Sequence, residues 1–164
     1  MDIWMSDKEI ELIKRNLKPS DVMMEWGSGG STFYLSKLVS EYYSIEHDPI
    51  WFDKIKHDLP KNVRYFLKPP KGWQRKEDST FLNYAEYVCF PYKFNKQFDK
   101  ILIDGRARVS CAIMALNLIK TEGIVFIHDF WHHTRKRYHT LLNYYSVHDS
   151  EKTGSGIIAL KKKI

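Results

Sequence analysis

Cysteine is nearly absent: Cys89 and Cys111 are the only two in 164 residues. No CxxC pair occurs, which removes zinc-finger spacing, and two thiols do not build a disulfide framework. A reducing compartment, the cytoplasm, is therefore expected. No apolar run approaches the ~18 residues that cross a bilayer, so no membrane partner is expected. The opening MDIWMSDKEIELIKRN meets charge too early for a secretory leader. No internal repeat and no linker-like stretch divides the chain, and residues 1–164 are expected to form a single domain. Glycine is also scarce. There are eight, and three of them fall within the four positions from Gly27 to Gly30.

Hydrophobic residues make up 43% of the chain, which excludes disorder, and aromatics make up 15%, enough to supply stacking surfaces as well as a core. Lys+Arg 26 against Asp+Glu 20 leaves a net charge of +6. That excess favours anionic partners at long range and keeps a nucleic-acid partner open. The basic residues are scattered, however, with local clusters at KPPKGWQRK (68–76), HHTRKRYH (132–139) and the terminal KKKI, and they form no single stripe.

Strand and helix patterns alternate along the chain. Ser6 with Glu9 is a capping box opening a helix with Ile10, Leu12, Ile13 and Leu17 on one face. Val22–Trp26 reads as a buried strand, 31–39 as a helix and Glu41–Glu46 as a second strand. Asp48-Pro49 starts a helix running to about Leu59, and Val63–Leu67 is a third strand. Residues 68–95 are the least regular, with a helix expected over 80–87, and form a candidate lid. Then follow a strand at 100–104, a helix at 107–119, a strand at 123–129, a helix over WHHTRKRYHTLL, and two strands, YYSVHD and GIIALKK, joined by a short turn. So short a connection cannot make a parallel crossover. The expected fold is α/β: a Rossmann-like, doubly wound, seven-stranded, mostly parallel sheet with an antiparallel last strand and helices on both faces.

Ligands of such sheets bind beyond the carboxyl ends of the strands. The residues predicted there are Glu25, Gly27, Glu46, Asp104 and Asp129, four of them acids. No Lys follows the glycines, which excludes a GxxxxGK[ST] phosphate loop, and the final position of a GxGxxG fingerprint is Thr32. Glu25 just ahead of the turn would repel pyrophosphate. Glu46, about 20 residues beyond the loop, can accept hydrogen bonds from both ribose hydroxyls. The fitting ligand has a ribose, a cationic amino-acid end and no pyrophosphate, and S-adenosylmethionine has these parts.

EWGSGGST, SIEHD and FDKILIDGRAR, in that order at three strand ends, resemble the motifs of class I S-adenosylmethionine-dependent methyltransferases, and more narrowly those of small glycan or sugar O-methyltransferase-like proteins. The resemblance covers the whole chain. It implies that Glu25, Gly27, Ser28, Gly29, Ser31 and Thr32 serve the methionine moiety, Glu46 and His47 the ribose, Leu67 and Lys68 the adenine, and Asp104 the methyl-donor centre. Related metal-dependent enzymes end the fourth strand in D-G-D and the fifth in D-D. Here Arg106 and His128 replace two of those acids. Asp104, His128 and Asp129 retain ligands for one divalent ion, but the Arg106 charge disfavours it. The implied reaction is methyl transfer to a sugar or glycan hydroxyl, with Asp129 and His128 as candidate bases, then Asp104, then His132 or His133, and with Arg106 and Arg135 positioning the acceptor. Arg108 reads as part of a solvated helix face. A non-catalytic cofactor-binding domain and an RNA or protein methyltransferase are the alternatives. The lack of an NPPY-like tetrad after the fourth strand favours a hydroxyl acceptor.

Overall fold

A computed structural model of the chain describes residues 2–71 and 81–163. Helix α1 (Asp7–Arg15) opens with the expected capping box: the Ser6 amide donates to Glu9 Oε2 at 2.7 Å and the Glu9 amide returns to Ser6 Oγ. Strand β1 (Val22–Trp26), α2 (Gly30–Leu35), β2 (Glu41–Glu46), α3 (Pro49–Ile55), β3 (Val63–Leu67), α4 (Phe81–Cys89), β4 (Phe98–Ile103), α5 (Arg108–Leu118), β5 (Ile119–His128), β6 (Tyr145–Glu151) and β7 (Ile157–Lys162) follow. The sheet order is β3-β2-β1-β4-β5-β7-β6. Strands β1 to β5 pair in parallel, and β7 runs antiparallel to both β5 and β6. The expected doubly wound sheet with a reversed last strand is the observed one.

Alternating side chains of the strands feed two cores. Met24, Trp26, Ile101, Ile103, Val125 and Ile127 pack on one face with Tyr87 of α4 and Cys111, Ala112 and Ala115 of α5. Met23, Leu102 and Phe126 pack on the other with Leu12 and Ile13 of α1 and Leu35 of α2. Both faces are therefore covered, as parallel strands require.

Boundaries differ where local chemistry overrides the apolar pattern. Helix α3 stops at Ile55, short of the expected Leu59, where Pro60 in any case disfavours helix at the residue before it. Strand β5 begins at Ile119, four residues early. A bulge between Phe98 and Lys100 folds the strand start back so that Asp99 meets Lys120 at 2.8 Å and Gly123 packs under the Asp99 carbonyl. The helix expected over WHHTRKRYHTLL is a 3-10 segment, His133–Asn143, broken at Arg135 (φ −100°, ψ 24°). The candidate lid is described only in part, since residues 72–80 lie outside the described residues, and with them the start of the helix expected over 80–87 and part of the KPPKGWQRK cluster.

Candidate active site

A cleft of about 510 Å³ opens at the carboxyl ends of β1, β2, β4 and β5. One half is walled by Gly27 to Ser31, Glu46, His47, Asp48 and Trp51. The other is walled by Asp104 to Arg108, His128, Asp129, Arg135, Arg137 and Tyr138, and Asp2 to Trp4 close over the opening. This is the position the open α/β sheet prescribes for a ligand.

The three clustered glycines have three different reasons. Gly27 has φ +94°, and a Cβ there would collide with the backbone of Gly105, so the β1 and β4 turns touch backbone to backbone. A Cβ on Gly30 would strike the Asp2 carbonyl, which places the N-terminal segment directly over the loop. Gly29 is different. A Cβ there would meet only Trp51, at 3.9 Å, so nothing in the protein excludes it. The space it leaves is part of the cleft.

The two predicted acids on β1 and β2 part company. Glu25 is fully buried and does not line the cleft. Its carboxyl accepts hydrogen bonds from Thr32, Ser31 (3.1 Å), Tyr42 (2.7 Å) and Ser44 (2.7 Å). Burial pushes its pKa up to about 7 against the pull of those four hydroxyls. Glu25 and Thr32 therefore brace the glycine loop from behind, outside the cleft lining. Glu46 does line it. One oxygen accepts from the Ser28 amide (2.8 Å) and hydroxyl (2.6 Å), the other from the amides of His47 (2.7 Å) and Asp48 (2.8 Å). Burial raises its pKa, but His47, Ser28 and the Asp48 amide outweigh this and hold it low, so Glu46 is an anion aimed at the cleft wall. Trp51 Nε1 donates to the Ser28 carbonyl at 2.8 Å and fixes the same loop from the α3 side.

The β4 and β5 ends form one charge network around Arg108. Its guanidinium lies 3.2 Å from Asp104 and 3.0 Å from Asp129, and it donates to the carbonyls of Gly105 and His128. His128 Nδ1 lies 2.8 Å from Asp104 Oδ1, and Nε2 lies 3.3 Å from Glu9 Oε1. Burial disfavours the charged ring, yet Asp104 and Asp129 outweigh it and raise the His128 pKa. Asp129, at φ +56°, is held low: burial raises it, and Arg108 and His128 lower it by more.

Asp104, His128 and Asp129 each bring one donor atom within 4.8 Å of the others, the grouping a divalent ion would need. They do not fit one well. Arg108 already neutralises both acids, and the raised His128 pKa favours an imidazolium, which has no lone pair to offer. Both His128 ring nitrogens face carboxylates, Asp104 on one side and Glu9 on the other.

Of the residues expected at the site, Gly27, Ser28, Gly29, Ser31, Glu46, His47, Asp104, Arg106, His128 and Asp129 come together around the cleft. Leu67 and Lys68 do not reach it, nor do His132 and His133; His132 instead bonds Thr134 at the start of the 3-10 segment. Arg108 corrects the sequence reading most. Its side chain is 11% exposed and central to the network. The available signal was Asp104 itself, an acid at the predicted strand end on the short turn that leads into α5. Trp51 and the segment 2–4, which line the cleft, and Glu9, which backs His128, carried no such signal, since only the tertiary fold brings them there.

No protein-family model matches the sequence, and no curated protein matches it. Solved structures do resemble it. A methyltransferase-like protein from Silicibacter pomeroyi is 20% identical over 99% of this chain and 89% of its own, with a TM-score of 0.69. A methyltransferase candidate from Streptococcus mutans, solved in complex with SAH, is 13% identical over 97% and 100%, with a TM-score of 0.65. A TehB-like SAM-dependent methyltransferase from Corynebacterium glutamicum is 17% identical over 94% and 87%, with a TM-score of 0.63. At such identities the likeness is one of architecture: the chain has the Rossmann-like fold of SAM-dependent methyltransferases.

Proposed function

We propose that the protein is an S-adenosylmethionine-dependent methyltransferase that acts on a hydroxyl of a sugar or glycan. The observation that carries this reading is the β1–β2 half of the cleft. Gly29 leaves room against Trp51 that no protein atom needs, beside the anionic Glu46. A ribose edge bonded to Glu46 would replace the Ser28 hydroxyl, which holds the same carboxylate oxygen at 2.6 Å. Ser28 then turns to Tyr65, whose hydroxyl is already 2.6 Å away. The donor set therefore fits the cofactor: an acid for the hydroxyls, a bare backbone for close approach and an indole beside it.

S-adenosylmethionine supplies a methyl group on a sulfonium, ready for in-line displacement. The chain's own residues orient the acceptor and take its proton. With His128 Nδ1 bonded to Asp104 and Nε2 turned to Glu9, the proton acceptor in this reading is a carboxylate, Asp129 or Asp104, each keeping one oxygen outside its Arg108 contact. Arg108 holds the two acids at fixed separation and, with His128, keeps Asp129 ionised. A carboxylate at this place acts by accepting the hydroxyl's hydrogen bond and receiving its proton as the methyl is transferred. The arginines lining the cleft disfavour a cationic amine, which supports a hydroxyl acceptor.

Calorimetry with S-adenosylmethionine and SAH is the direct test. Binding at about 1 mM or tighter is expected. Absence of heat for both ligands at that concentration would remove the methyltransferase reading.

A further inference from the structure

The cations of the cleft wall are unusual in kind. The chain has 19 lysines and 7 arginines. Four of those arginines, at positions 106, 108, 135 and 137, line this one cleft, and no described lysine does. A charge excess serving only solubility would distribute both types alike. The planar guanidinium fork matches the two oxygens of a carboxylate or phosphate, which an ammonium does not.

The arginines also differ in what they already hold. Arg108 is committed to Asp104 and Asp129. Among the described residues, no carboxylate lies at ion-pair distance from Arg106 or Arg135. Arg106 is exposed at the end of β4. Arg135 Nε is buried and makes no hydrogen bond, and its side chain rests against the Tyr138 ring. A guanidinium cannot shed its proton to escape that cost, so a buried donor without an acceptor is an opening for a ligand oxygen. The 3-10 segment is broken at Arg135 itself, and the residue lines the cleft.

We propose that the β4–β5 half of the cleft is an oxyanion subsite, in which Arg106 and Arg135 hold a carboxylate or phosphate carried by the acceptor. This rests on the methyltransferase reading and narrows it: the acceptor is an acidic sugar, with its reactive hydroxyl facing Asp104 and Asp129. Those two acids would repel an anion if they stood alone. Arg108 and His128 compensate them, so Arg106 and Arg135 leave that half of the cleft net positive.

The test is calorimetric, on the intact protein saturated with SAH, using glucuronate, glucose 6-phosphate and glucose as probes. At least one of the two anionic sugars is expected to bind about tenfold or more tightly than glucose, and which one does so separates carboxylate from phosphate recognition. Arg135→Gln should weaken that probe by about tenfold or more and leave SAH affinity within about twofold. Arg135→Lys, which keeps the charge and loses the fork, should recover only part. Equal binding of all three sugars overturns the proposal. So does an Arg135→Gln variant that loses SAH as strongly as the sugar, because the arginine then serves the cofactor's own carboxylate. Repeating the titrations without SAH keeps the two readings apart: a wild type that binds the anionic probe but never SAH overturns the methyltransferase reading and keeps the subsite.

Discussion

Glu9, the capping-box residue of the first helix, places Oε1 3.3 Å from Nε2 of His128 at the end of β5. The contact joins α1 to the acid cluster at the floor of the cleft. It also explains why Glu9 is buried although it lies on the first turn of a helix. One carboxylate completes the cap through its other oxygen, bonded to Ser6, and flanks an imidazole with this one.

The pH dependence of that contact follows from the charge on His128. Its pKa is raised above the ordinary 6.5, chiefly by Asp104 acting against burial. The folded state then holds the proton more tightly than the unfolded chain. The stabilisation is complete below about pH 6.5 and fades as pH rises through the raised value. His128→Asn should lower stability by about 1–3 kcal/mol at pH 6. The deficit relative to wild type should shrink toward pH 9 in a series of thermal melts. A deficit independent of pH would mean that His128 is neutral in the fold.

Glu25 obeys the same rule with a different outcome. Burial raises its pKa from 4.5 to about 7, so stability is complete below about pH 4.5 and falls as pH rises through 7. The shift corresponds to about 3 kcal/mol. Glu25→Gln removes the titration and keeps the shape. All four partners are hydroxyls, which can turn from donor to acceptor for the new amide. The variant should therefore gain on wild type between pH 5 and pH 8, read as the difference in denaturant midpoint. A constant difference across that range would show that Glu25 does not titrate there.

Those two acids mark how far the sequence carried. The sheet, its reversed final strand and the acids at the strand ends follow from local patterns: alternation, glycine spacing and a turn too short for a crossover. The direction of the Glu25 side chain does not. It sits one residue from Trp26 on a pleated strand, and the pleat sends it to the α2 face while the loop beyond it opens to the cleft. Arg108 departs from the solvated helix face for a related reason. The helix pattern around it shows a polar position, and only the return of β5 beside β4 converts that position into the centre of an ion-pair network. Glu9 and Trp51 reach the site through α1 and α3, whose docking no local pattern specifies.

The glycine loop offers a comparison between two neighbouring positions. Gly27→Ala requires a positive φ and presses a methyl into the Gly105 backbone, so it should cost about 2–4 kcal/mol or prevent folding. Gly29→Ala meets only Trp51 at ordinary contact distance and should leave the melting temperature almost unchanged. It fills the space assigned to the cofactor, however, and should weaken SAH binding by about tenfold or more. If Gly29→Ala binds SAH like wild type, the cofactor does not lie against this turn.

Asp129 separates binding from turnover. It holds a left-handed backbone conformation, which asparagine tolerates better than alanine, so Asp129→Asn is the cleaner variant and Asp129→Ala its companion. Both remove a carboxylate that Arg108 and His128 keep ionised, and neither touches the β1–β2 half of the cleft. SAH affinity should stay within about twofold, while methyl transfer to the acceptor should fall by about 100-fold or more. A chelator added to the wild type in the same assay should change nothing, since Arg108 supplies the charge that a divalent ion would bring. Turnover that survives both substitutions would move the proton to Asp104, and turnover abolished by the chelator would restore the metal that Arg106 and Arg108 argue against.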